Sequence, residues 1–312
     1  MKVLFIDTTH HSLAKGLKKL GFETELNNTS PKQEIEGILK YYTGIVIRSR
    51  FKLDKTFLNA GSHLKFIARV GAGLENIDVN YAEKLGINLI AAPEGNRNAV
   101  GEQALGMLLS LFNNLNRADK EVRNGIWIRE GNRGVELRGK TVGIIGYGNM
   151  GNAFSRVLAG MGVEVIFHDI LPNLSNENAR QAELEELFEK TDVLSIHTPL
   201  TELTKNMVNS EFLSKFKKNI YFINTARGPI TVTTDLVDAM KREKVLGACL
   251  DVLEYEKTSF ENLFSENHLP EAFEYLINSD KVILSPHIAG WTHESNLKMA
   301  KTIVDKVENL LK

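Results

Sequence analysis

The chain has 312 residues, 43% of them hydrophobic, with 38 Lys and Arg against 39 Asp and Glu for a formal net charge of −1. Nearly balanced, interspersed charge excludes a nucleic acid or an anionic membrane held by bulk electrostatics and leaves small molecules as the expected partners. The single cysteine, Cys249 in GACLDV, excludes an internal disulfide and reads as a buried thiol, and the first apolar run, VLFI before Asp7, is too short for a signal-peptide core, so a cytoplasmic protein without membrane spans is expected.

From residue 2 to about 97, the short apolar runs VLFI, GIVI (44 to 47), LKFIA (64 to 68) and INLI (87 to 90) alternate with amphipathic stretches. That alternation predicts β/α units around a parallel sheet. Val100, Ala104, Met107, Leu108, Leu111 and Leu115 then recur at helix spacing, predicting a long helix from Asn98 to Arg123. A second β/α series follows through TVGII (141 to 145), VEVIF (163 to 167), DVLSI (192 to 196), NIYFI (219 to 223), GACLDV (247 to 252) and KVILS (281 to 285). Six strands with helical connections predict a doubly wound sheet. The last 22 residues predict one amphipathic helix carrying Leu297, Ala300, Ile303, Val304, Val307 and Leu311 on a face that returns to cover the first domain. The expected architecture is α/β, with two Rossmann-like parallel-sheet domains and a cleft between them: 1–97 plus 289–312, and 98–288.

Between TVGII and NAFSRVLAGMG stands GYGNMG, comprising Gly146, Tyr147, Gly148, Asn149, Met150 and Gly151. Strand, glycine turn and helix in this order form a dinucleotide-binding loop: Gly146 permits the tight turn, Gly148 lets the backbone approach a pyrophosphate, and Gly151 lets the helix pack on the strand. The next predicted strand ends at Asp169, close to the offset expected of an acid on the adenosine ribose. A carboxylate there accepts from the 2′-hydroxyl and repels a 2′-phosphate, so NAD is expected over NADP.

Three charged or titratable residues follow successive strands of the same predicted sheet: Arg227 after NIYFINTA, Glu256 after GACLDVLEY and His287 after KVILSP. Open α/β sheets bind ligands at such strand ends. Oxidising an alcohol by hydride transfer also requires a proton to leave the hydroxyl, and histidine is the side chain whose ordinary pKa suits that task. His287 is therefore the expected acid and base, Glu256 its orienting carboxylate, and Arg227 the planar fork for a substrate carboxylate. The other histidines, His10, His11, His63, His168, His197, His268 and His293, lack such support; His197 follows a strand and is read as structural. No clustered His, Cys or carboxylate spacing predicts a metal.

Together RVGAGLENID, NAVGEQALGMLLSL, ELRGKTVGIIGYGNMG, SIHTPLT, INTARG, GACLDVLEYE and SPHIAG resemble the D-isomer-specific 2-hydroxyacid dehydrogenases over nearly the whole chain. The resemblance implies a catalytic Arg227, Glu256 and His287, a discontinuous substrate domain made from both chain ends, and a homodimer built on the cofactor domain. It implies that the backbone of Val70, Gly71, Ala72 and Gly73 forms a small nest for the substrate carboxylate, and that Thr225 and Ala226, with Asp251 near the nicotinamide carboxamide, line the cofactor pocket. One departure is Lys257, where the family usually has proline, which puts the path of 257 to 280 in question.

Within the family the resemblance is nearest to members acting on 3-phospho-D-glycerate. Arg48 and Arg69 match residues that hold the substrate there, and Arg50 is placed to join a phosphate site. A group carrying nearly two negative charges is suited to guanidinium partners. The alternatives are another D-2-hydroxy acid, with glyoxylate, hydroxypyruvate or pyruvate as the keto form, and, in a different class, an NAD(H)-sensing binding protein.

Overall fold

The computed structural model describes residues 1 to 256 and 269 to 312. These residues form two compact units, one of Met1–Arg97 with Trp291–Lys312 and one of Asn98–Glu256 with residues 269 to 290. His268, Lys257 and the first part of the questioned 257 to 280 path lie outside the described residues.

In the first unit β1 (Lys2–Phe5), β2 (Glu23–Leu26), β3 (Gly44–Ile47), β4 (Phe66–Arg69) and β5 (Asn88–Ala91) form a parallel sheet in the order β2-β1-β3-β4-β5. Successive strand side chains point to opposite faces. Val3 and Phe5 therefore pack with Leu13 and Leu17 of α1 (His11–Lys19) and with Ile303 and Val307 of α12 (His293–Leu311). Leu4 turns the other way, toward Ile35 of α2 (Lys32–Ile38), Phe57 of α3 (Lys55–Ala60) and Ala82 of α4 (Val79–Lys84). Asp54 and Asp78 start α3 and α4 by accepting from the N–H groups of Phe57 and Tyr81 at 3.0 and 3.1 Å. β2 escapes the sequence pattern because it is an edge strand, ETEL, with no buried residue.

Two helices differ from their predicted form. The one expected from Asn98 to Arg123 begins at Pro93 and is divided into α5 (Pro93–Phe112) and α6 (Leu115–Arg123). The break is at Asn114, whose φ of 51° is left-handed, a conformation asparagine adopts more readily than most residues. The terminal helix buries Met299, Ala300, Ile303 and Val307, whereas Leu297 and Leu311, expected on that face, are exposed. Thr292 and Ser295 set its start by a reciprocal capping box. Among the described residues no helix is long and apolar enough to cross a membrane.

The second unit contains β6 (Thr141–Ile145), β7 (Glu164–His168), β8 (Arg180–Gln181), β9 (Val193–Ile196), β10 (Ile220–Asn224), β11 (Val245–Leu250) and β12 (Val282–Leu284), all parallel, in the order β12-β11-β10-β9-β6-β7-β8. The six expected strands are present, and the two-residue β8 extends the edge. Helices cover both faces, as the doubly wound reading requires. Val193, Ile223 and Cys249 pack with Leu108 and Leu111 of α5 and with Phe154 of α7 (Asn149–Leu158). Leu194, Ile196 and Phe222 pack with Leu236 and Val237 of α10 (Thr233–Lys241) and Leu276 of α11 (Glu271–Asn278). Each such aliphatic or aromatic side chain contributes about 1.5–3 kcal/mol on burial.

Candidate functional site

The carboxyl end of β6 turns into α7 through the glycine loop. Gly146 has a φ of 89°, and a Cβ there would stand 2.9 Å from the backbone of His197, so the turn demands glycine. A Cβ on Gly148 would meet no atom of the protein within 4 Å, so packing alone does not require glycine at that position. Gly148 also caps α7 without a side chain, which leaves the first-turn N–H groups at the place where helices accept phosphate. Asp169, just past β7, accepts from Tyr147 N at 2.6 Å and Leu171 N at 2.9 Å, tying its carboxylate to the loop. Tyr147, expected among the cofactor-binding residues of the loop, points its side chain into the core. Its ring stacks on Phe167 with centroids 3.7 Å apart, and its hydroxyl bonds Ser155 and Asn176 at 2.7 and 3.0 Å. Only the backbone of Tyr147 belongs to the loop's outer face.

Among the described residues the buried hydroxyls of Thr198, beside this loop, and of Thr225, past the end of β10, have no hydrogen-bond partner, and neither does Nδ1 of His197. A dinucleotide fits these observations: open space at Gly148, a carboxylate anchored to the loop, and hydroxyls that a polar ligand would satisfy. Thr198 is a residue that sequence reasoning missed, although SIHTP follows a strand and so offered the same positional cue as INTAR. The Nε2 of His197 is 2.8 Å from Ser195 Oγ, and complete burial pushes its pKa down to about 3.

Arg227, Glu256 and His287 lie just beyond the carboxyl ends of the adjacent strands β10, β11 and β12. Asn224, fully buried at the end of β10, shapes the first turn: its Oδ1 accepts from Ala226 N at 3.0 Å and its Nδ2 donates to Arg227 O at 3.1 Å. Gly228 closes the turn against the carbonyl of Leu253, where a Cβ would collide. The Nη1 of Arg227 donates to Ala226 O at 2.6 Å. Glu256 accepts from Leu253 N through Oε1 at 2.5 Å, and its Oε2 is 2.7 Å from His287 Nδ1.

His287 itself has a φ of 53°, rare for a residue with a Cβ and found where the surroundings over-determine the backbone. Asp251 supplies that determination. Its carbonyl accepts from His287 N at 2.8 Å, while its carboxylate accepts from Ser285 Oγ at 2.6 Å, Ile288 N at 2.9 Å and Ala289 N at 2.8 Å. Burial pushes the pKa of Asp251 up, opposed by those three bonds. The carboxylate that the resemblance puts near the nicotinamide carboxamide thus has both oxygens engaged by the segment that carries His287. Neither Asn224 nor Ser285 was identifiable from residue type alone, because each acts through the turn it holds.

In the first unit Arg48, Arg50 and Arg69 follow or end β3 and β4. Asp7 Oδ2 accepts from the backbone N–H groups of Arg48, Ser49 and Arg50 at 2.6, 3.1 and 3.3 Å. The guanidinium of Arg50 donates to the carbonyls of Ile6 (3.1 Å), Asn27 (3.0 Å) and Ser30 (2.6 Å). The phosphate contact expected of Arg50 would have to displace those bonds. Arg48 instead places its guanidinium carbon 4.1 Å from the centroid of the Trp291 ring. In the expected nest, Val70 N and Gly71 N donate to Ile47 O and Arg69 O at 2.8 and 3.0 Å. An anion at the nest is therefore left with the amides of Ala72 and Gly73.

The profile of the family domain "D-isomer specific 2-hydroxyacid dehydrogenase, NAD binding domain" matches residues 105–289. The D-3-phosphoglycerate dehydrogenase of Archaeoglobus fulgidus is 32% identical over 317 aligned positions, covering 100% of this chain and 58% of that protein. The hydroxypyruvate reductase of Thermotoga maritima is 32% identical over 276 positions, covering 88% of this chain and 87% of that protein. Among solved structures, the D-lactate dehydrogenase of Aquifex aeolicus complexed with NAD and lactic acid is 27% identical with a TM-score of 0.81, covering 100% of this chain and 95% of that one. The chain thus spans just over half the length of the first of these relatives.

Proposed function

The chain belongs to the D-isomer-specific 2-hydroxyacid dehydrogenase family, with NAD as its cofactor, and on that premise we propose that it interconverts 3-phospho-D-glycerate and 3-phosphohydroxypyruvate. The observation that carries the hydroxy-acid chemistry is the 2.7 Å approach of His287 Nδ1 to Glu256 Oε2, beside the strand end bearing Arg227. When bound, NAD supplies the acceptor for a hydride. His287 takes the hydroxyl proton at Nε2 while its Nδ1–H donates to Glu256, whose charge stabilises the imidazolium; in the reverse direction it returns that proton to the forming alkoxide. Arg227 holds the substrate carboxylate and polarises the adjacent carbonyl through its planar fork. The loop from Gly146 to Gly151 holds the pyrophosphate, Asp169 the adenosine ribose, and Thr225 and Ala226 the nicotinamide end.

Arg48 and Arg69 support the phosphorylated substrate, since a dianion gains from charge-assisted bonds that an uncharged hydroxymethyl group does not. A second reading, an unphosphorylated 2-keto acid such as hydroxypyruvate or glyoxylate, is favoured by one observation: Arg50 is engaged by three carbonyls and is not available without rearrangement. Following NADH absorbance with 3-phosphohydroxypyruvate, hydroxypyruvate, glyoxylate and pyruvate in parallel, each repeated with NADPH, decides between them. We expect kcat/KM to be highest for the phosphorylated acid with NADH. A higher value for an unphosphorylated acid would overturn the substrate and keep the family chemistry.

We further propose that the protein is a homodimer through the second unit. Val122, Ile126, Trp127 and Ile128, all exposed, line one groove there, and Trp127 is 81% exposed. Apolar surface of this kind marks an interface more often than bare solvent. Sedimentation equilibrium should return twice the chain mass; the mass of one chain would refute the dimer.

A further inference from the structure

Arg48 and Arg50 stand two residues apart, and the fold treats them in opposite ways. Arg50 is bonded to carbonyls. Arg48 is half-buried, and among the described residues its side chain makes no hydrogen bond or ion pair; its backbone N–H is pinned by Asp7, and its guanidinium rests over Trp291. Burial works against its charge, with only the more distant carboxylate of Asp7 in its favour. A cation over an aromatic face is attracted by the ring's quadrupole, and a contact of this kind does not use up the guanidinium's N–H donors, which remain able to bind an acceptor. Trp291 is itself 50% exposed, so filling the core does not account for a tryptophan at this position.

We propose that Trp291 is a positioning residue for Arg48: its indole face holds the guanidinium so that the N–H fork meets the phosphate of the substrate, making Trp291 a determinant of preference for phosphorylated over unphosphorylated 2-keto acids. This rests on the reading of Arg48 as a substrate contact. Without the ring, the long side chain of Arg48 regains its rotamers and must be reordered each time an anion binds. The effect therefore falls on substrate affinity and not on the chemical step.

The test measures kcat and KM for 3-phosphohydroxypyruvate and for hydroxypyruvate in the full chain and in Trp291→Leu, Trp291→Phe and Arg48→Ala, with folding checked by circular dichroism. Leucine keeps apolar volume without a ring face, and phenylalanine keeps a ring face. Trp291→Leu is expected to raise KM for the phosphorylated acid about tenfold with little change in kcat, to raise KM for hydroxypyruvate much less, and to be largely rescued by Trp291→Phe. If Arg48→Ala raises KM while both Trp291 variants match the wild type, or if Leu and Phe behave alike, the positioning role is overturned. An Arg48→Ala variant with unchanged KM would remove the underlying reading of Arg48, and the proposal with it.

Discussion

The His287→Asn variant is expected to turn over its preferred 2-keto acid about a thousandfold more slowly than the wild type while binding NADH with unchanged affinity. Asparagine is the better replacement here than alanine, because the backbone at this position has a φ of 53° and asparagine tolerates that region. The loss follows from the proton inventory. Hydride transfer in either direction requires one proton to move at the substrate oxygen, and His287 is the titratable group paired, at 2.7 Å, with the carboxylate of Glu256. Positioned acid–base catalysis contributes about 10² to 10⁴ in rate, and the partly buried setting of the pair puts this one toward the middle of that range. Stopped-flow single turnovers and fluorescence titration with NADH separate the chemical step from binding. Turnover within about tenfold of the wild type would remove His287 from the acid–base role.

The second large effect is on stability and comes from His197. Burial holds its pKa at about 3 in the native state, against an ordinary value of 6.5. Between those values the unfolded chain carries a proton that the native protein does not, so stability rises with pH; the contribution is complete above pH 6.5 and is lost as pH falls toward 3. From pH 7 to pH 4 this one residue should remove about 3 kcal/mol of unfolding free energy, taking about 1.4 kcal/mol per pH unit between 6.5 and 4. Denaturant unfolding of the wild type and of His197→Asn at several pH values isolates the term, since the other titrating groups are common to both. Parallel stability curves for the two proteins would show that His197 is not the group responsible. Because the backbone of His197 lies against Gly146, acid unfolding driven from this point would be expected to reach the cofactor loop early.

The catalytic candidates and the second of these residues differ in how visible they are in the sequence. Arg227, Glu256 and His287 can be placed beyond three strand ends because each follows an apolar run bounded by turn residues, and parallel strands deliver their carboxyl ends to one edge. GYGNMG and Asp169 are legible for the same reason: local spacing fixes their relation, and glycine has no substitute at a φ of 89°. His197 also follows a strand, but that position says nothing of its titration. Its lowered pKa depends on what packs around it, which is decided by residues far along the chain.

The sequence by itself determined the α/β class, every strand of both sheets except β2 and β8, the glycine loop and the identity of the charged residues beyond the strand ends, because each is set by a short-range period or a local backbone requirement. Tertiary structure alone decided the rest. It divided the helix at Asn114 and admitted the polar edge strand β2, which gains its hydrogen bonds from a neighbour and not from its own pattern. It turned Tyr147 into the core, gave Arg50 to three carbonyls and Arg48 to the face of Trp291, and placed Asp251 as the clamp of the segment carrying His287. Whether a charged or aromatic side chain faces a ligand or its own protein depends on which partners come within about 3 Å of it, and residues tens to hundreds of positions away supply those partners.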